Sequence, residues 1–277
     1  MGAVLHPTDF SAGSDVAYHH ALRIALGLRS YFDILHVGSA GLEGSVWADF
    51  PKVRQTLTKW SLLAEDSHES AIESELGVKV RKVQIVEEET VEAILDYLDD
   101  EHASIIVLAT RGHEGLPRWL EPSVSEKLAR KASTITLFLP SGSQGFVDGE
   151  TGKVQLERVL LPVDQTPAPQ LAIETAGVLL EALGAGEAQI DVLHVGDQES
   201  SPALSPPRDW RGGFEGSLRK GSPVEKILDE QKANRADLIV MATEGHHGFL
   251  DAFRGSTTER IVRHADCPVL AVPALKG

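Results

Sequence analysis

The sequence predicts an α/β protein built as two tandem doubly wound domains, each a five-stranded parallel sheet flanked by helices. Three observations predict it. Segments with strand and helix periodicity alternate through the first half as β-α-β-α-β-α-β-α-β, an order that favours a parallel sheet with helices on both faces. The pattern then repeats: residues 103–115 (ASIIVLATRGHEG) align without gaps with residues 236–248 (ADLIVMATEGHHG), with eight identities in thirteen, the mark of an internal duplication. Between the copies, residues 141–156 are polar and turn-rich, the composition of a linker. The expected organisation is a first domain over 1–140, a linker over 141–156 and a second domain over 157–277, and at roughly 150 residues per domain the length agrees.

Each element has its own signal. Residues 3–7 are a short apolar strand that ends in Thr8-Asp9, and residues 14–28 carry helical spacing through Val16, Leu22, Ile24 and Leu26. Residues 31–37 form the next strand, and residues 47–76 read as one long polar helical stretch that stops before Gly77. Residues 78–86 alternate apolar and polar, the strand period. The acids Glu87, Glu88 and Glu89 open a helix whose apolar face holds Val91, Ile94, Leu95 and Leu98, and acids suit the positive end of the helix dipole. Residues 104–108 are continuously apolar and β-branched, as in a strand covered on both faces. A glycine-bearing loop follows, then a helix over 123–130 and a strand over 135–139.

The second half echoes the first. His6-Pro7-Thr8-Asp9 returns as Leu161-Pro162-Val163-Asp164, and ILHVG at 34–38 returns as VLHVG at 192–196. The middle is shorter: 50 residues separate Val37 from Glu88, but only 25 separate Val195 from its counterpart Gly221. That interval contains SSPALSPP at 200–207, which cannot be helical throughout, so the second half is expected to lack the long second helix.

Composition narrows the function. The chain has 26 Lys and Arg against 41 Asp and Glu, a net charge of −15. Such a surface repels a nucleic-acid backbone and an anionic membrane, so neither is an expected partner. It still admits a small anion held by backbone dipoles. The single cysteine, Cys267, excludes an intrachain disulfide. No apolar run reaches the ~18 residues of a membrane helix, and no signal peptide is read at the start, so a cytoplasmic protein is expected.

The chemistry concentrates after the fourth strand of the second half. There Ala242-Thr243-Glu244-Gly245 is followed by nine residues and then by Gly255-Ser256-Thr257-Thr258, which opens a helix. Glycines permit close backbone approach, and the free N–H groups of a helix start make an anion site. Asp164 falls at the carboxyl end of the half's first strand, the edge where doubly wound sheets bind ligands. A carboxylate together with a row of amide donors suits a nucleotide.

On these residues the chain resembles the universal stress protein family, whose loop reads G-x-x-G, nine residues, then G-S or G-T, with an Asp after the first strand. The tail ERIVRHADCPVLAVP at 259–273 also resembles the family's closing helix and strand. The resemblance covers nearly the whole chain as two copies and implies a sheet order of 3-2-1-4-5 in each. It implies that ATP or a related adenine nucleotide is the ligand, in a regulatory or stress-sensing role; such a ligand could bring magnesium with it, although the sequence shows no carboxylate pair for the ion. By the same resemblance Gly245, Gly255, Ser256 and Thr257 hold phosphates, with His246 and His247 inside the loop. Asp164, Val195 and Met241 line the base and ribose, and Pro162, Val163, Ala242 and Thr243 complete the expected nucleotide-binding set. By the same resemblance the halves form a pseudo-dimer within one chain; the chain is expected either to stay a monomeric pseudo-dimer or to form a homodimer of tandem chains, for which the strands ending at Leu139 and Val272 are the expected edges.

The chain departs from the family pattern. Ala242 replaces the loop's first glycine. In the first half the counterpart residues are Asp9, Ala109, Gly112 and Ser123, and Pro122 stands where the loop needs a glycine with an N–H. Glu121 adds a carboxylate beside the expected phosphates. The first half is therefore expected to bind nucleotide poorly.

Other readings compete. Asp9 and Asp164 suit turns or helix caps. Ser123 and Ser256 each stand three residues before a Glu, the capping-box spacing. Met241 suits the core as well as a base contact. His36 and His194 end matched strands and suit structural roles, and Cys267 suits a buried thiol. The adjacent His246 and His247 lack a third ligand, so no metal site is expected. No phosphate loop with its lysine, no G-x-S-x-G elbow and no H-E-x-x-H occurs, so no catalytic residue is expected. The alternatives to a binding module are a slow ATPase or nucleotide hydrolase, and a ligand-free interaction scaffold.

Overall fold

The computed structural model describes residues 2–38, 46–110, 134–244 and 257–274. In the first half, β1 (Val4–Pro7), α1 (Ala12–Leu28) and β2 (Tyr31–Gly38) are followed by three short helices. These are α2 (Val46–Asp49), α3 (Val53–Lys59) and α4 (Ala71–Leu76). Then come β3 (Lys79–Val86), α5 (Thr90–Glu101), β4 (Ile105–Ala109) and β5 (Ile135–Leu139). The second half runs β6 (Arg158–Val163), α6 (Gln170–Ala182), β7 (Gln189–Val195), β8 (Phe214–Arg219) and α7 (Pro223–Asn234). It ends with β9 (Leu238–Thr243), α8 (Thr257–His264) and β10 (Val269–Pro273). The helix expected over 123–130 lies outside the described residues.

The ten strands of the described residues form one sheet, in the order β3-β2-β1-β4-β5-β10-β9-β6-β7-β8. Each half has the expected order 3-2-1-4-5 with parallel neighbours. The halves meet where β5 and β10 pair antiparallel, with Val269 opposite Phe138 and Leu270 opposite Leu137. This corrects one expectation. The strands ending at Leu139 and Val272 are not open edges for a second chain, because each is the other's partner within this chain.

Alternation along the strands divides the core into two layers. Ile105 and Val107 of β4 face one layer, with α1, α3, α4 and α6. Ile106 and Leu108 face the other, with α5, α7 and α8. The helix α1 crosses between the halves. A Cβ placed on Gly27 would lie 2.0 Å from the carbonyl oxygen of Ala182, so only glycine lets α1 sit this close to the end of α6.

The stretch 47–76 is not the one long helix that its polarity suggests. Pro51 interrupts it between α2 and α3, and after Lys59 the chain turns through Ser61 at φ 59°. The pieces stay in place because Val53, Leu57, Trp60 and Ile72 are buried. In the second half, residues 196–213 hold a single 3-10 turn at Gln198–Ser200. The Pro-rich segment packs on α6 instead: Pro207 lies so close to Gly177 that a Cβ there would meet it at 2.4 Å.

Residues 141–156, polar in composition, are pinned to the first half. Phe146 and Val147 are buried, and their N–H groups donate to Nε2 of His20 at 2.9 and 3.1 Å. Trp60 Nε1 donates to the carbonyl of Gly149, and Lys59 pairs with Glu150 at 2.6 Å.

Candidate nucleotide site

A cleft of about 240 Å³ opens at the carboxyl edge of the second half's sheet. Its position follows from the topology. The path from β6 through α6 to β7 leaves in one direction, and the path from β8 through α7 to β9 arrives from the other, so neither of these connections crosses the gap between β6 and β9. This is the switch point at which doubly wound sheets bind ligands.

The walls come from distant parts of the chain. β6 contributes Pro162 and Val163, with Asp164 just beyond its end. The neighbouring strands contribute Val195, Met241, Ala242 and Thr243, and α8 contributes Thr257. Eight of the thirteen residues named from the sequence therefore line one cavity. The other five, Gly245, His246, His247, Gly255 and Ser256, lie outside the described residues, as do Gly112 and Ser123 of the first half.

Asp164 stands at the mouth, exposed, and among the described residues its Oδ1 accepts the N–H of the next residue, Gln165, at 2.8 Å. It does not cap α6, which starts at Gln170 after Pro169. The first half differs. Oδ1 of Asp9 accepts from the N–H of Ser11 at 3.0 Å, while Ser11 itself caps α1. Asp9 is thus a turn residue in the approach to a capped helix, whereas Asp164 presents its carboxylate to a cavity. Ala109 ends β4, the place matched by Ala242 near the end of β9.

Sequence reading missed part of the wall: Thr166, Pro167, Leu193, Pro223, Ile227, Glu244 and Thr258. Leu193 shares its strand face with Val195 by the period of two. Pro223 and Ile227 stand one helical turn apart on α7, a spacing that a search for loop motifs does not examine. Glu244 lay inside the loop pattern as an unassigned position. With Asp164 it makes the charged lining acidic, and no basic residue lines the cavity among the described residues.

The competing structural roles are also visible. His194 donates from Nδ1 to the carbonyl of Val163 at 3.1 Å, and its Nε2 lies 2.9 Å from the Ser200 hydroxyl. His36 makes the matching bond to the carbonyl of Thr8 at 2.9 Å. Both rings tie the second strand of their half to the end of the first. Cys267 is buried, and burial pushes its thiol up to about 12. Met241 is buried yet borders the cavity, so it serves core and wall together. No group of three or more His, Cys, Asp or Glu able to hold a metal occurs among the described residues. No helix among them is long and apolar enough to cross a membrane.

Comparison with known proteins agrees with this architecture. A universal stress protein of Methanocaldococcus jannaschii is 36% identical over 64 residues, which is 23% of this chain and 38% of that protein. One of Mycolicibacterium smegmatis is 27% identical over 189 residues, 61% of this chain and 62% of the relative. Each match spans less than two thirds of the relative's own length. Among solved structures, a universal stress protein of Archaeoglobus fulgidus matches 99% of this chain and 98% of its own at a TM-score of 0.61 with 17% identity. A functionally unknown protein of Pseudomonas aeruginosa covers 98% of this chain, and 92% of its own, at a TM-score of 0.65 with 14% identity. At such identities these two show a common fold. The model of the universal stress protein family matches residues 1–140 and 212–273, well over half of the sequence and parts of both halves, and the chain belongs to that family as a tandem member.

Proposed function

We propose that this chain is a nucleotide-binding regulatory protein whose second half holds one ATP or related adenine nucleotide in the cleft between β6 and β9. What supports the reading is the convergence at the switch point: eight of the residues that the sequence and its family resemblance assign to one site, spread from 162 to 257, border one cavity. The base lies on the apolar wall of Val163, Val195, Met241 and Ile227. Asp164 takes the ribose hydroxyls, for which an exposed carboxylate is the natural acceptor. The phosphates extend toward Thr257 and the segment of Gly245, Gly255 and Ser256, where a helix start supplies donors. His246 and His247 belong to that loop by sequence, and magnesium carried by a triphosphate would screen the phosphates from the acid Glu244.

The first half serves as the matched scaffold. Its Asp9 is engaged in a turn, and Pro122 removes a donor from the equivalent loop. One chain then offers one site, the two halves acting as an internal pseudo-dimer, in a signalling role that needs no catalytic group.

The test starts from protein purified without added nucleotide. It is denatured, and released nucleotides are identified and counted by chromatography and mass spectrometry. About one adenine nucleotide per chain is the expected result. No released nucleotide, together with no calorimetric signal on adding ATP, overturns the reading and leaves a ligand-free scaffold. Timed turnover of ATP with magnesium, lost on Gly255→Pro, would instead make it a hydrolase.

A further inference from the structure

Among the described residues the sheet ends in two strands that have a partner on one side only, β3 and β8. They are chemically unlike. β3 (KVRKVQIV) carries three cations and no acid. Charge of one sign along an edge is a device that keeps copies of a chain from pairing there. β8 (FEGSLR) carries Glu215 near its start and Arg219 at its end, and between them stands Gly216. Gly216 is exposed, and a Cβ built on it would meet no atom within 4 Å.

The hydrogen-bond register shows which groups of β8 face outward. Ile190 N–H donates to the carbonyl of Gly213, and Gly196 N–H donates to that of Arg219, both at 2.9 Å. In a parallel ladder the strand turns its backbone groups to the neighbour at every second residue. Residues 213, 215, 217 and 219 therefore serve β7, and Phe214, Gly216 and Leu218 present their N–H and C=O groups away from the sheet. Arg219 Nη1 donates to the Leu218 carbonyl at 3.1 Å, which leaves that oxygen its second lone pair.

We propose that β8 is a self-association edge, where two copies of this chain pair antiparallel about a two-fold axis through Ser217. In this register Glu215 stands across from Arg219 of the partner subunit, and Arg219 across from Glu215 of the partner subunit. Gly216 exchanges backbone bonds with Leu218 of the partner subunit. An acid before the axis and a base after it is the arrangement that a two-fold antiparallel pair satisfies twice. Two copies of β3 would instead bring six cations together. Arg219 already pairs with Glu230 at 3.0 Å, but 44% of its side chain is exposed, and its fork of donors accommodates a second carboxylate. The fold itself extends its sheet by antiparallel edge pairing once, at β5 and β10.

Sedimentation velocity of the full chain over a range of concentrations tests the proposal. The parent is expected to show the mass of two chains, falling toward one on dilution. Gly216→Pro removes the central outward N–H, and Glu215→Lys sets two cations across from each other without touching the backbone. Each is expected to give the single-chain mass throughout. A parent that stays single at every concentration overturns the proposal. So does a two-chain mass that either variant retains, or one that is lost only on Gln84→Pro in β3.

Discussion

Two buried histidines make the first half sensitive to acid, and the sensitivity can be worked out from the structure. His20 donates from Nδ1 to the carbonyl of Val16 at 2.8 Å, so its Nε2 carries no proton and is free to accept the N–H groups of Phe146 and Val147. His6 donates from Nδ1 to the carbonyl of Val107 at 3.0 Å in a fully buried position. Burial, which penalises the charged ring, lowers both from 6.5 to about 4. The unfolded chain takes up these protons near pH 6.5 and the folded chain near pH 4. Stability from each ring is therefore complete above pH 6.5 and is lost as pH falls toward 4. The slope approaches about 1.4 kcal/mol per pH unit per histidine, and the loss over the window is about 3 kcal/mol each. Guanidinium unfolding at steps between pH 7 and 4.5 measures it. His20→Gln keeps an oxygen that can accept the two N–H groups but does not titrate, so its stability should fall less steeply than the parent's by the slope of one histidine. The carboxylate contributions are common to both proteins and cancel in the difference. Parallel stability curves for parent and His20→Gln would refute the reasoning, as would a His20 resonance titrating near pH 6.5.

Three further outcomes are expected. Asp33 is fully buried and held by Arg81 through Nε at 2.6 Å and Nη2 at 2.5 Å, with the Tyr97 hydroxyl at 3.1 Å. Arg81→Met, which strands that carboxylate, should cost about 3 kcal/mol in urea unfolding, and adding Asp33→Asn should recover a large share. Gly27→Ala should force α1 and α6 apart and cost about 1–3 kcal/mol, read as a lowered denaturation midpoint. Ile227→Trp should fill the cleft and abolish calorimetric nucleotide binding while the far-ultraviolet dichroism stays that of the parent.

Much of the fold is written in local pattern. The alternation in 78–86 and the continuous apolar run at 104–108 mark β3 and β4 because the first is an edge and the second is covered on both faces. The duplication fixes the second half once the first is read. What stayed hidden depends on contacts distant in sequence. β5 and β10 carry the same apolar runs that would suit an interface between chains, and nothing in either run says that the other is its partner. The polar composition of 141–156 conceals Phe146 and Val147, whose backbone is held by a histidine 126 residues away in sequence at the nearer contact. In the candidate site, the strand ends and loop were legible because their spacing is tight. The helix wall of Pro223 and Ile227 was not, since helical spacing alone does not tell which core-facing residues border a cavity.

The difference between the halves comes down to the step from first strand to first helix. In the first half α1 begins three residues after Asp9, and Ser11 caps it. Phe10 is forced to φ 60° and its ring stacks on His36 at 4.3 Å. With so short a step the chain must turn at once, and Asp9 is drawn into that turn to accept the Ser11 N–H. In the second half α6 begins six residues after Asp164, and the three additional residues change the geometry. The segment runs outward through Thr166 and Pro167, which become part of the cleft wall. Asp164 has no helix cap to support, so its carboxylate stays at the cavity mouth. Removing three residues from 165–169 should therefore convert the second half's step into a tight turn and close the wall, without touching a residue of the glycine loop.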